Sequence, residues 1–152
     1  MKILKWTGII LLFLSVAFTI FLFVLFSGNR AASSEWTRNP DPRGSMVPVG
    51  DHRLYCSVRG QGKPVVIIEG DVGSSSPEWW AIQDALSSRC TVVTYDRAGY
   101  GWSDMGPFPR SIDRITGEMD ALLRSRGLHG PYIMVGAGMG ALYVQHFASG
   151  HK

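Results

Sequence analysis

The chain contains 152 residues, of which 45% are apolar and 18% are charged, a size that suits one domain or part of a larger one. Its formal net charge is +3, but the Lys and Arg residues are scattered, and no basic stripe or aromatic–basic module is present in the sequence. Nucleic acid is therefore not expected as a partner.

An uncharged, strongly apolar run extends from Trp6 to Phe26. As a helix it is long enough to cross a hydrocarbon layer roughly 30 Å thick. Because Lys2 and Lys5 precede it and Arg30 follows, we predict a single-pass membrane anchor over residues 1–26, with the N-terminus in the cytoplasm and the rest outside. The alternative is a signal peptide cleaved near the small residues 31–33, which would release a secreted protein.

The next segment, Ser27 to Ser45, is rich in turn-forming residues, including Pro40, Pro42 and Gly44. This composition is typical of a flexible tether between a membrane and a domain. We therefore predict a linker over residues 27–45 and a folded domain over residues 46–152.

From Met46 onwards, short runs typical of strands alternate with runs that have helical spacing. A β-hairpin is predicted over Met46 to Val49 and Arg53 to Arg59, strands over Pro64 to Glu69, Thr91 to Tyr95 and Tyr132 to Val135, and helices over Ser76 to Ser88, Ser111 to Arg126 and Ala141 to Ser149. This order predicts an α/β fold, in which parallel strands with crossover helices on both faces follow an N-terminal hairpin.

Three alternating glycines, Gly136, Gly138 and Gly140, follow the strand Tyr132 to Val135. A turn of this kind directs backbone N–H groups at the start of the next helix towards an anion or oxyanion. One chemistry that uses it is the nucleophile elbow G-x-S-x-G, in which Gly138 here occupies the serine position. The other is the dinucleotide fingerprint G-x-G-x-x-G/A, which Gly136, Gly138 and Ala141 satisfy.

Two further motifs precede this turn. Glu69 to Ser76 follows a buried strand with the sequence EGDVGSSS, and Asp96 to Ser103 reads DRAGYGWS, close to the pattern D-x-R-G-x-G-x-S. With these motifs in this order, the segment from Pro64 to Ser149 resembles the first half of the α/β-hydrolase superfamily of serine hydrolases. A dinucleotide site is disfavoured, because its ribose-binding acid would lie about 20 residues past the glycines, beyond Lys152.

The resemblance implies hydrolysis of an ester, amide or similar bond through a covalent acyl-enzyme. It assigns the oxyanion-hole amides to Asp71 and Met139, although a carboxylate at Asp71 would oppose a developing oxyanion. Gly138 supplies no nucleophile, which costs such an enzyme several orders of magnitude in rate. The residues that the resemblance assigns to the elbow are Gly136 and Gly140, and those it assigns to the turn are Asp96, Arg97, Gly99, Gly101 and Ser103. We interpret Asp96 as a structural acid that holds this turn.

In this fold the catalytic acid and His follow the nucleophile in chain order, and this sequence stops soon after Gly138. The four histidines do not match the family's catalytic position and are interpreted as ordinary surface or helix residues: His52, His129, His146 and His151. We therefore predict a truncated, membrane-anchored hydrolase domain that is inactive as this chain, with no cofactor and no metal site. An ester or amide substrate is expected only if another polypeptide completes the site.

Two further sets of residues leave alternatives open. Cys56 and Cys90 either pair, since the resembling fold brings their strands near each other, or remain two buried thiols. Trp79, Trp80 and Trp102 either line a substrate cleft or pack in the core.

The strand Tyr132 to Val135 is expected to have an uncovered outer edge. Such an edge recruits a second copy of the chain or a complementing polypeptide. Besides the inactive hydrolase, two hypotheses remain: a non-catalytic binding module on the same scaffold, and an active hydrolase assembled with a separate C-terminal polypeptide.

Overall fold

The computed structural model describes residues 13–25 and 39–150, and it divides the chain into two compact units, residues 1–38 and 39–152. In the first unit, residues 13–25 are helical and their side chains are exposed. Within the described ranges, no helix has both the length and the apolar character that crossing a membrane requires. The rest of the predicted anchor, and most of the predicted linker, lie outside the described residues.

The second unit is organised around a five-stranded sheet. Its strands are β1 (Ser45–Pro48), β2 (Arg53–Arg59), β3 (Val65–Glu69), β4 (Thr91–Tyr95) and β5 (Tyr132–Gly136), in the spatial order β1-β2-β4-β3-β5. The pairs β3–β4 and β3–β5 are parallel, whereas β1–β2 and β2–β4 are antiparallel. The predicted hairpin thus joins the parallel strands edge to edge, which makes the sheet mixed.

Helices cover both faces of the sheet. They are α1 (Trp80–Leu86), which follows a 3₁₀ turn (Ser76–Trp79), α2 (Ile112–Ser125) and α3 (Gly140–Gly150). The predicted helix over 76–88 is therefore split, with Pro77 in its first turn, where the missing N–H costs nothing. On α2, the N-cap Ser111 accepts a hydrogen bond from the Arg114 backbone N–H, which satisfies one of the free donors of the first turn.

Successive residues of the central strands point to opposite faces, so each strand contributes to two apolar cores. The core between the sheet and α2/α3 contains Ile67 and Val93, packed with Met119, Leu122 and Phe147. The smaller core on the side of α1 consists of Val66, Ile68, Cys90 and Val92, with Trp79 packed against it. The continuous β-branched run of β3 is explained by this two-sided burial.

Strand β5 forms one end of the strand order. Its side chains are less covered than those of β3 and β4, since Ile133 is 50% exposed and Val135 is 42% exposed. An apolar strand at the end of a sheet presents unpaired backbone groups. Pairing of this edge with a second copy or with another polypeptide stays a prediction.

Candidate active site

The turn between β5 and α3 brings the chain from the sheet into the helix within a few residues. Gly138 lies at its apex with φ +51, in the left-handed region that favours glycine. The flanking glycines are required for a different reason. A Cβ on Gly140 would lie 2.5 Å from the backbone oxygen of Glu69, and one on Gly136 would lie 2.6 Å from the Cα of Ala141. The elbow is therefore pressed against the end of β3 and the loop that follows it.

The carboxylate of Asp71 occupies the space directly above Gly138. A Cβ built on Gly138 would overlap all three carboxylate atoms of Asp71. The Asp71 Oδ1 atom accepts hydrogen bonds from the backbone N–H of Met139, at 2.8 Å, and from that of Val72, at 2.7 Å. The Met139 amide, which the sequence assigned to an oxyanion hole, thus binds a carboxylate of the protein itself.

These two amides also hold the pKa of Asp71 below its ordinary value of 3.8, Met139 having the larger effect and Val72 the next. Hydrogen bonds to the charged form favour ionisation. Since the folded-state pKa is lowered, the contact stabilises the fold above the ordinary pKa and is lost as the pH falls below about 3.8.

The lowered pKa of Asp71 leads to a prediction for Asp71→Ala. The variant should unfold more easily than the parent at neutral pH, and the difference should shrink as the pH is lowered through the acid range. Urea titrations of both chains from pH 7 to pH 2.5 measure this directly. A pH-independent difference would mean that the Asp71 carboxylate makes no charge-dependent contact.

Arg97 fixes the loop that carries Asp71. Its guanidinium is 6% exposed and forms an ion pair with Glu69, which is 1% exposed. It also donates to the backbone oxygens of Gly70, at 2.6 Å, and Asp71, at 2.5 Å. Tyr95 completes the arrangement by donating its hydroxyl to Glu69. The loop is therefore held at its backbone by Arg97 and at its side chain by the elbow.

Burial disfavours the charged forms of both Glu69 and Arg97. Burial raises the pKa of Glu69, although Tyr95 and Arg97 act in the opposite direction. Burial also disfavours the charged Arg97, but the Glu69 carboxylate outweighs it, and the pKa of Arg97 is raised. Each group thus favours the charged form of the other against burial, which makes the pair sensitive to loss of either member.

Asp96 organises its own turn. Its Oδ1 accepts hydrogen bonds from the Ser76 backbone, at 2.6 Å, and the Ser76 hydroxyl, at 2.7 Å, and its Oδ2 accepts one from the Trp102 backbone, at 2.9 Å. The Ser103 hydroxyl donates to the backbone oxygen of Asp96 at 2.6 Å. A Cβ on Gly101 would overlap the Asp96 carboxylate. Asp96 therefore links this turn to the start of the 3₁₀ turn, and its carboxylate oxygens are occupied.

Gly99 has φ +85, again in the left-handed region. Its backbone N–H donates to the Asp104 oxygen at 2.9 Å, which closes the loop that begins at Asp96. The glycines of this motif are thus explained by backbone geometry and close packing.

The histidines lie in several environments. His52, predicted as an ordinary surface residue, is instead buried, with its Nδ1 2.8 Å from Asp51 and its Nε2 3.3 Å from Glu118. His146 bridges α3 to α2, with Nε2 2.9 Å from the Asp113 carboxylate and Nδ1 3.1 Å from the Thr116 hydroxyl. Asp71 has no histidine among its hydrogen-bond partners in the described part of the chain. His151 lies outside the described residues.

Trp79 and Trp102 pack in the core, and the two cysteines are free thiols. Trp102 is buried and stacks on Trp80 with ring centroids 6.0 Å apart. Trp79 packs against the core on the α1 side. Cys56 and Cys90 are free and lie in different cores on opposite faces of the sheet, so they do not pair.

One cavity lies away from the elbow. It has a volume of about 510 Å³ and is lined by residues such as Leu128, Tyr132 and Phe147, at the beginning of β5. The elbow follows the opposite end of that strand. Among the described residues, no group of three or more His, Cys, Asp or Glu side chains is arranged to hold a metal.

Strand, tight glycine elbow and helix, with a preceding loop folded over the elbow, define the scaffold class of α/β hydrolases. The sequence profile of the alpha/beta hydrolase fold family matches residues 63–152, more than half of the chain. The chain belongs to this family.

Individual relatives agree with this assignment. A crystal structure of a bromoperoxidase from Bacillus anthracis superposes with a TM-score of 0.63 at 30% identity, covering 71% of this chain and 40% of that one. A probable transporter of Hormonema carpetanum, EfuK, is 36% identical over 109 residues, 68% of this chain and 16% of that protein. An uncharacterized vacuolar membrane protein of Saccharomyces cerevisiae is 31% identical over 91 residues, 57% of this chain and 14% of that protein. The chain thus spans well under half of each of these relatives.

The structure brings some predicted residues together and separates others. Asp71, Gly138 and Met139 meet at the elbow, and Arg97 reaches the same loop from the turn after β4. Asp96 instead binds Ser76, and Ser103 binds the backbone of Asp96 and Tyr55. The role of Tyr95, which lies under the loop, was missed, since a tyrosine in a strand gives no sequence signal beyond core packing.

Proposed function

We propose that this chain is a hydrolase-fold domain that performs no serine-type acyl transfer. The observation that carries the proposal is the Asp71 carboxylate bound to the Met139 amide above a side-chain-free Gly138. Acyl transfer needs a hydroxyl or thiol at the elbow and an amide free to receive the oxyanion. In this elbow residue 138 has no side chain, and the Met139 amide is already bound to a negatively charged carboxylate.

The alternative of dinucleotide binding at the same glycines meets the same obstacle. A pyrophosphate would require the N–H groups at the start of α3. The Met139 N–H already donates to Asp71 at 2.8 Å, and a second anion would be repelled by that carboxylate. A non-catalytic scaffold role is therefore the better-supported function, and ester or amide hydrolysis would be the activity of the family in general.

A fluorophosphonate probe tests the proposal, because it reacts with activated serine hydroxyls. The full chain should remain unlabelled under conditions that label an active esterase of the same family, and p-nitrophenyl acetate should hydrolyse at the background rate. The heat-denatured chain gives the baseline for non-specific reaction. Labelling of the folded chain above that baseline would overturn the proposal.

We further propose that residues 1–26 anchor the domain in a membrane, with the domain on the extracytoplasmic side. The proposal is supported by the uncharged run from Trp6 to Phe26, and by the large apolar side chains exposed in its helical part, such as Phe13, 71% exposed, and Phe23, 70% exposed. Exposed apolar groups of this size belong in lipid rather than in water.

Alkaline carbonate extraction tests the membrane anchor. The full chain should stay in the membrane pellet, and a variant with Leu12, Val16 and Ile20 changed to Arg should move to the supernatant, because charges at the centre of a span are costly. Release of the unaltered chain by carbonate would contradict the anchor and favour the cleaved signal peptide.

A further inference from the structure

A small cavity lies beside Arg97, bordered by α2 and α3, and has a volume of about 110 Å³. Its lining consists of two arginines, two tyrosines and two apolar residues: Arg97, Ala98, Tyr100, Arg110, Ile115 and Tyr143. Every polar side chain in this lining is a hydrogen-bond donor. Among the described residues, no carboxylate lines the cavity. This composition favours an anion as the ligand.

The two guanidinium groups are positioned by carboxylates outside the lining. Arg97 pairs with Glu69, and Arg110 donates to both carboxylate oxygens of Glu118, at 2.6 Å each. Both glutamates are buried, so each arginine is held in place without a ligand. The Nε–H groups of the two arginines donate to no other residue in the described part of the chain. Each guanidinium therefore keeps a donor for a further partner.

The two tyrosines place their rings around Arg97. The guanidinium carbon lies 4.9 Å from the ring centroid of Tyr100 and 5.2 Å from that of Tyr143, within the range of a cation–π contact. Both tyrosines are half-buried, and within the described residues their hydroxyl groups have no hydrogen-bond partner. The rings are thus held by the arginine, while the hydroxyls remain available to a ligand.

The positive charges at this cavity act on each other. Hydrogen bonding to Glu118 raises the pKa of Arg110, whereas burial and the charge of Arg97 act to lower it. Two like charges near one cavity repel, and an anion bound there would attract both. The arginines therefore supply a charge preference in addition to the hydrogen bonds of the tyrosines.

We propose that this cavity binds a tetrahedral oxyanion of the phosphate class, either as the free ion or as the phosphoryl group of a larger molecule. The four donors come from three segments: Arg97 and Tyr100 from the loop after β4, Arg110 from the segment before α2, and Tyr143 from α3. Donors from several directions suit an anion whose oxygens point in several directions, whereas a carboxylate has only two oxygens, in one plane. The planar fork of arginine also matches phosphate oxygens. The site does not include the elbow, so it is independent of the acyl-transfer proposal.

Isothermal titration calorimetry of the full chain in detergent tests the site with inorganic phosphate at constant ionic strength. One phosphate should bind per chain, and acetate should bind more weakly. Tyr143→Phe keeps the ring beside Arg97 but removes the hydroxyl. It should weaken phosphate binding at least about tenfold, because a hydrogen bond to a charged group contributes an order of magnitude or more in affinity. Tyr100→Phe makes the same change on another segment and should have a similar effect.

Tyr132→Phe is the matched control. The Tyr132 hydroxyl donates to the backbone oxygen of Leu128 at 2.9 Å, and Tyr132 does not line this cavity. The Tyr132→Phe chain should therefore bind phosphate as tightly as the parent chain does.

Glycerol 3-phosphate distinguishes the two sources of the anion. If it binds with the same dependence on Tyr143, the proposal is supported for a phosphoryl group on a larger molecule. Binding of inorganic phosphate alone would support a site for the free ion. The proposal would be overturned if neither ligand bound saturably, if acetate bound as tightly as phosphate, or if Tyr143→Phe and Tyr100→Phe both left the phosphate affinity unchanged.

Discussion

Changing Arg97 to Ala should lower the free energy of unfolding by about 3–5 kcal/mol, the usual cost of removing one member of a buried ion pair. The loss has two parts. Glu69, 1% exposed, would keep a hydrogen bond from Tyr95 but lose its counter-ion. The backbone oxygens of Gly70 and Asp71 would lose their shared donor. Urea denaturation of the variant and the parent chain measures the difference.

The pH dependence distinguishes loss of the ion pair from loss of packing. Without Arg97, the pKa of Glu69 in the folded chain should rise further, because burial raises it and the guanidinium that lowers it is gone. A carboxyl whose pKa is higher in the folded state binds more protons there, so the stability of the variant falls as the pH rises. The destabilisation should therefore be larger at pH 7 than at pH 5.

Arg89 provides the control. Its side chain is exposed, and its change to Ala should alter stability by no more than about 0.5 kcal/mol. The double variant Glu69→Gln/Arg97→Ala should recover part of the loss, because it leaves no buried charge. An Arg97→Ala chain as stable as the Arg89→Ala chain would show that the pair does not hold the loop.

The fold was predictable because each of its segments carries its own signal. The β-branched run of β3 predicts two-sided burial, and the spacing of Ile115, Met119 and Leu122 predicts the buried face of α2. The spatial order of the strands was not predicted, since periodicity within a strand does not say which strand lies beside it. The antiparallel pairing of β2 with β4 is a long-range contact of this kind.

The position of the candidate site could be predicted from the sequence, but the contacts within it could not. The glycines at 136, 138 and 140 predict a tight strand–helix turn, and the two motifs that precede them favour an elbow over a dinucleotide site. The hydrogen bond between the Asp71 carboxylate and the Met139 amide joins two segments far apart in sequence. The sequence of one loop does not indicate which residue of the other loop it contacts. The buried environment of His52 was missed for the same reason, since its contact with Glu118 links a hairpin turn to α2.

Restoring a serine at residue 138 should destabilise the chain by about 2–4 kcal/mol, within the range for substitutions that combine overpacking with backbone strain. A side chain at φ +51 costs about 1–2 kcal/mol on its own. The remainder comes from overlap between the new Cβ and the Asp71 carboxylate. Thermal or urea unfolding of Gly138→Ser measures the total.

The overlap can be isolated in a double-mutant cycle with Asp71→Gly, which removes the obstructing carboxylate. If the two residues compete for one volume, Gly138→Ser should cost less in the Asp71→Gly background, with a coupling energy of at least about 1 kcal/mol. Gly127→Ser is the matched control, because Gly127 has φ +65 and no atom within 4 Å of a Cβ built there. Gly127→Ser should lower the free energy of unfolding by the backbone strain alone, both in the parent chain and in Asp71→Gly. Additive effects of Gly138→Ser and Asp71→Gly would mean that the Asp71 carboxylate does not occupy the volume of a side chain at residue 138.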